Sequence, residues 1–226
     1  MATQNFDKLN ILKRYSEPYH EYFGVMMLTK EQKRQRERLA VLLEEAIAVF
    51  FEMYHTRQEM GVLSEVQLKQ EFTYLVYDVV SGKDYFENEP QEDKYITDLV
   101  NETYRATEEN LVKHPNDYDY TGNKPYWISD DRAMFIAENE ANTIINGYEF
   151  KEAKAQGKTH KIWMSYGDDR VRPTHQIVDG AKVPLDSYFD VGAARMLFPK
   201  DVISTFSTGA AHPEEVISCR CSLKFV

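Results

Sequence analysis

The spacing of apolar residues along this chain changes once, near Gly157, and that change constrains the fold more than any other feature. From Glu31 to His55 the residues Leu39, Leu42, Leu43, Ala46, Ile47, Phe50 and Met53 recur at three- and four-residue steps, the stripe of an amphipathic helix. A second helix is expected from Ser64, where Ser64 and Gln67 have capping-box spacing; Leu68, Phe72, Leu75, Val76 and Val79 form its apolar face and Gly82 follows its end. A third, more polar helix is expected from Glu92 to about Leu111. His114 to Pro125 is rich in turn formers and reads as a loop. A fourth helix starts near Ser129-Asp130-Asp131 and runs through Ile136, Ala137, Ala141, Ile144 and Ile145 towards Gly157.

Beyond Gly157 the pattern turns to short β-type runs. Lys161-Ile162-Trp163-Met164 reads as a strand, and Asp179-Gly180 between Ile177-Val178 and Val183 is a hairpin signal. At the end, Cys219, Cys221, Leu223 and Phe225 alternate with Arg220, Ser222 and Lys224, as a half-buried strand requires. The fold class is therefore α+β: a helical N-terminal region, a change of structure around residues 156 to 160, and a small C-terminal domain with short antiparallel strands. No internal repeat or low-complexity tract is present.

A chain of 226 residues with 42% hydrophobic content suits one domain or two small ones. No stretch approaches the roughly 20 apolar residues of a membrane span, and Met1-Ala2-Thr3-Gln4-Asn5 lacks the blocks of a secretory signal. A soluble intracellular product with reduced thiols is expected, because two cysteines one residue apart do not make a disulfide framework. The formal net charge of −10 is unevenly distributed: residues 159–226 hold 8 basic and 8 acidic side chains, so the excess lies before them. Residues 84–119 hold 11 acidic and 3 basic side chains, while residues 30–38 hold 5 basic and 2 acidic ones. The acidic surface repels phosphate and points to protein partners. Lys33, Arg34, Arg36 and Arg38 read as a solvated helix face, with contact to DNA phosphate or an acidic ring of partner subunits as the functional reading.

His175, Cys219 and Cys221 are residue types that bind zinc, and Asp169 or Asp179 would be the fourth ligand. Against this, a one-residue gap within a strand does not curl around a metal as wider cysteine spacing does, so packed, buried thiols are preferred and zinc is the alternative. A nucleophilic cysteine would need an exposed thiol beside an imidazole in an electropositive site, and no oxyanion-hole glycine motif precedes either cysteine. Asp169, His175 and Asp179 also admit a hydrolase or nuclease centre. Arg170 and Arg172, two apart on an extended segment, share a face from which they would lock to Glu214 and Glu215. Trp163 is read as a core residue, and Asp179-Gly180 as a turn needing positive φ.

Taken in order, Trp163, Asp169, Arg170, Arg172, His175, Asp179, Gly180, Phe198, Pro199, Asp201, Glu215 and Cys219-Arg220-Cys221 resemble the C-terminal domain of the phage Mu F-like head morphogenesis family, minor capsid proteins of tailed phages. The likeness covers roughly residues 130–226 and opens with a helix carrying Ala133, Ile136, Ala137 and Glu140. Ser218 stands where the family often has Asn before Cys-Arg-Cys. This divides the chain into a helical region, residues 1–129, for docking on the portal or another partner, and a family domain, residues 130–226.

The resemblance implies a minor head protein of a phage or prophage, made in the bacterial host cytoplasm and placed in the virion, in the head interior near the portal. Its expected partners are the portal protein and the scaffold or major capsid protein, with weak DNA contact through Lys33, Arg34, Arg36 and Arg38, and no membrane. Its expected work is procapsid assembly and DNA packaging or ejection. Five residues follow Cys221, leaving no room for the toxin or enzymatic modules fused to some family members. No enzyme activity and no cofactor are expected, zinc being the one metal these residues suit. The alternatives are a metal-dependent hydrolase or nuclease centred on His175 and Cys219/Cys221, and a DNA-binding ejection protein resting on residues 30–38.

Overall fold

The computed structural model describes residues 22–24, 26–202 and 212–226; the segment Met1 to Asn5, read above for signal features, lies outside them. Local capping sets the helix limits. Helix α1, Lys30–Met60, begins at a second capping box, in which the Thr29 N–H donates to Gln32 Oε1 at 3.0 Å and the Gln32 N–H to Thr29 Oγ1 at 3.3 Å. It stops at Gly61, whose φ of 66° lets its N–H reach the Arg57 carbonyl at 2.8 Å. Helix α2, Glu65–Val80, carries the Ser64/Gln67 capping box read from the sequence. Helix α3, Glu89–Lys113, starts three residues before the expected Glu92 because Asn88 caps the Gln91 N–H at 3.1 Å and Pro90 occupies the first turn, where no N–H partner is needed. Helix α4, Asp130–Ala155, begins where Ser129 Oγ accepts from the Arg132 N–H at 3.3 Å.

The chain divides into two compact units, Leu39–Glu140 and a second formed by the residues up to Arg38 together with Ala141–Val226. In the first, α2, α3 and the remaining turns of α1 bury Leu39, Leu43, Ile47, Phe50, Leu68, Phe72, Val76, Ile96 and Val100. Phe50 and Phe72 stack with ring centroids 4.3 Å apart, and Arg57 donates to Tyr104 Oη at 2.6 Å. The turn-rich segment 114–125 is a loop, as its composition predicts, tied by a bridge between Tyr118 and Pro125.

In the second unit, β1 (His160–Met164) is the central strand of an antiparallel sheet, with β2 (Lys182–Pro184) on one side and β5 (Ser222–Phe225) on the other. Lys161 faces Val183 and Phe225 in register, and Trp163 faces Leu223. A separate ribbon pairs β3 (Phe189–Val191) with β4 (Ala194–Met196). Phe150 and Ala153 of α4 pack with Trp163, Leu185, Phe189, Val191, Met196, Phe198, Val216 and Leu223 in one core. The fold is α+β, helical first and with short antiparallel strands afterwards.

Two local expectations are corrected. Ile177-Val178 is not the arm of a hairpin: Pro173–Val178 forms a short helix, α5, whose Pro173 starts it and whose His175 and Gln176 N–H groups both reach the Arg172 carbonyl at 3.0 Å. Gly180, with φ of 72°, still reverses the chain and donates to the Trp163 carbonyl at 2.9 Å. The second correction concerns the C-terminus, where the strand begins at Ser222. Helix α6, Pro213–Val216, is followed by a turn in which Ser218 adopts φ of 57° and the Cys219 N–H returns to the Val216 carbonyl at 3.2 Å. Cys219 and Cys221 therefore lie on the segment that leads from this bend into the strand.

Candidate functional site

That bend brings the two thiols to one imidazole. His175, on the buried side of α5, places Nδ1 3.4 Å from Cys221 Sγ and 3.5 Å from Cys219 Sγ. The three donor atoms all lie within 4.8 Å of one another, and the three side chains are buried. Asp169 and Asp179, the expected fourth ligands, are exposed and outside this group; Asp179 instead accepts the Ser165 N–H at 2.7 Å. On the far edge of the ring, His175 Nε2 is 3.0 Å from Glu215 Oε2, and Thr174 Oγ1 donates to the same oxygen at 2.8 Å. Because a carboxylate only accepts, Nε2 carries a proton and Nδ1 is the atom turned to the sulfurs.

The electrostatics follow from crowding three polarisable donors in a dry place. Burial opposes ionisation of Cys219, but the Cys221 thiol and His175 hold Cys219 well below the usual thiol range. Its sulfur, aided by burial, pushes Cys221 up. Burial also opposes the charged form of His175, and the Cys219 sulfur outweighs it, so the imidazole is raised. Trp163 closes the site from the sheet side, edge to face with His175 at 5.6 Å and with Phe189 at 5.2 Å.

Behind the cysteine bend lies a polar network. Arg36, fully buried, donates through both terminal nitrogens to the Glu149 carboxylate at 2.8 and 2.9 Å. Its remaining donors reach Asn142 Oδ1 and Asn146 Oδ1, each at 2.9 Å. The two asparagine amides then donate to the carbonyls of Cys219 (3.1 Å) and Cys221 (3.4 Å), and Asn146 also to that of Pro199 (3.1 Å). Arg36 is thus a structural residue and not part of a solvated basic face; Lys33 is paired with Glu37 at 3.5 Å.

A family profile described as Phage Mu protein F like protein matches residues 100–224, more than half of the chain. The chain belongs to this family. No curated protein and no solved structure matches it. The phage Mu F-like motif residues play distinct parts in the structure. Trp163 and Phe198 are core; Asp201, fully buried, accepts the Leu197 N–H at 2.9 Å and so closes the Phe198-Pro199-Lys200 turn, where Lys200 has φ of 64°.

The arginines are paired differently from the sequence expectation. Glu215 is engaged by His175 and Thr174, and Glu214 by His212. Arg170 lies 3.4 Å from Asp168, and Arg172 donates to the Ile217 carbonyl. The bidentate pair of the motif is Arg220 with Asp168, at 3.0 and 2.8 Å. The turn before α5 accounts for this: residues 168–171 are not extended, the Val171 N–H returning to the Asp168 carbonyl at 3.1 Å, so Arg170 and Arg172 are not kept on one face as an extended segment would keep them. Sequence reading also missed Gly192, in the two-residue turn between β3 and β4: a Cβ there would lie 2.1 Å from Glu215 Oε1. The sequence signal for Arg36 was a polar step, Asn142, Asn146 and Glu149, at three- and four-residue spacing on one face of α4.

Proposed function

We propose that this phage Mu F-like head morphogenesis protein is a minor head protein that associates with the portal and acts in procapsid assembly and in DNA packaging or ejection. The carrying observation is the match of the head-morphogenesis family over residues 100–224, joined to a strongly acidic stretch at residues 84–119 that disfavours packed DNA and leaves protein surfaces as partners. In this reading the protein works in the head interior near the portal, with scaffold or major capsid protein as further contacts. Apolar side chains exposed in the helical unit, Met60, Val62, Val66 and Tyr74 among them, fit contact with another protein chain. No helix among the described residues is long and apolar enough to cross a membrane.

The role is read as structural. A hydrolase or nuclease centred on His175 and the cysteines would need substrate at side chains that are at most 2% exposed. A DNA-binding ejection role would rest on Lys33, Arg34 and Arg38, because Arg36 is spent on Glu149. The test is to purify procapsids from a lysogen with the gene intact and with it deleted, and to co-express the chain with the portal protein of the same phage. Co-purification with portal, and loss of filled heads on deletion, are the expected results. Filled, infectious heads formed without the protein would sink the proposal.

A further inference from the structure

We infer that His175, Cys219 and Cys221 bind a single zinc ion that fastens helix α5 to the C-terminal bend. A tetrahedral zinc with ordinary Zn–S and Zn–N bonds sets its sulfur and nitrogen ligands about 3.6 Å apart. The structure places Nδ1 3.4 and 3.5 Å from the two sulfurs. The objection from spacing falls with the strand: after the turn at Ser218, with φ of 57°, Cys219 and Cys221 precede the strand, and both sulfurs come within 3.5 Å of His175 Nδ1.

The surroundings are those of a metal site. A ligating histidine characteristically gives its other ring N–H to a carboxylate, which fixes the ring and strengthens the donor. Glu215 takes that position at 3.0 Å, and is itself fixed by Thr174 and by the close approach of Gly192. The carbonyls flanking the sulfurs are held by Asn142 and Asn146, so the bend is positioned before any ion arrives. Three protein donors leave the fourth tetrahedral position to water or one more donor, as in open zinc sites, but burial of all three side chains keeps substrate out and leaves the ion a structural task.

The experiment uses the full chain. Metal content is measured after purification without chelator; the protein is then stripped and titrated with Zn²⁺ alone and with Co²⁺ alone. One zinc per chain, an X-ray absorption signal of two sulfurs and one imidazole, and thiolate-to-cobalt charge-transfer bands are expected. Cys219→Ser/Cys221→Ser should abolish binding. Should that variant fail to fold, Glu215→Gln keeps the site's shape and is expected to weaken zinc about 10- to 100-fold in a chelator competition. A folded wild-type chain that takes up neither ion stoichiometrically, or a bound zinc with no sulfur neighbours, overturns the inference.

Discussion

A Cβ at position 192 would sit 2.1 Å from Oε1 of Glu215 and 3.0 Å from the Thr174 methyl, so the glycine and the carboxylate occupy adjoining space that no other residue leaves free. Gly192 also has φ of 60°, a conformation that costs side-chain-bearing residues energy. Gly192→Ala should therefore destabilise the protein by about 2 to 4 kcal/mol, through backbone strain and displacement of the carboxylate behind His175. Urea denaturation checks this; an unchanged midpoint would mean that Glu215 moves aside freely.

Arg36, fully buried, pairs with Glu149, whose side chain is 12% exposed, and removing the carboxylate strands the guanidinium. Glu149→Met is expected to cost about 3 to 5 kcal/mol, while Arg36→Met/Glu149→Met should cost less than the single change, because no unpaired charge remains. A double variant as unstable as the sum of the singles would show that the pair is not coupled. Salt-dependent DNA retention, if the chain has any, should respond to neutralising Arg34 and Arg38 and not to changes at Arg36 that leave the fold intact.

Lys161 is fully buried with no hydrogen-bond acceptor for its Nζ among the described residues; the Nζ sits 4.7 Å from the Phe150 ring centroid and 5.4 Å from that of Phe189. Burial lowers its pKa to about 8, partly opposed by Asp201. Between that value and the usual lysine range the unfolded chain holds the proton and the folded chain does not, so wild-type stability rises with pH across this window. Lys161→Met should stabilise the protein by about 1 to 2 kcal/mol at pH 7, the ring contacts offsetting part of the gain, and the advantage should fade towards pH 10. Thermal melts of both proteins across that range test the sign.

Glu138 behaves oppositely. Burial raises its pKa to about 8, and Oε1 has no hydrogen-bond partner among the described residues. From the ordinary carboxylate range up to pH 8 the folded chain keeps a proton that the unfolded chain has lost, so stability falls as pH rises through this interval. Glu138→Gln should flatten that decline. Melts at pH 5 and pH 8 measure it; an equal drop in both proteins would assign the decline to other groups.

The helices were legible because their determinants are local. Ser64 with Gln67, Gly82 after α2, and the Leu39 to Met53 stripe act over one or two turns, and the structure places helices where they point. The period change after Gly157 also located the β-type region, and the ordered motif from Trp163 to Cys221 named the family. Less visible were the partners. Asp179-Gly180 carried a true reversal at Gly180, but Pro173 had already committed the preceding residues to a short helix, and a sequence pattern does not rank one local preference over another.

By itself, then, the sequence determined the four long helices, the α+β class, the family and the three side chains capable of holding a metal. Tertiary structure decided who meets whom. It set Glu215 against His175 instead of an arginine, gave the bidentate role to Arg220 with Asp168, buried Arg36 among Asn142, Asn146 and Glu149, and converged the two thiols on Nδ1. The reason is separation along the chain: caps and stripes are read within a few residues, whereas Arg36 and Asn142 stand 106 residues apart and meet only when the unit that contains both has folded.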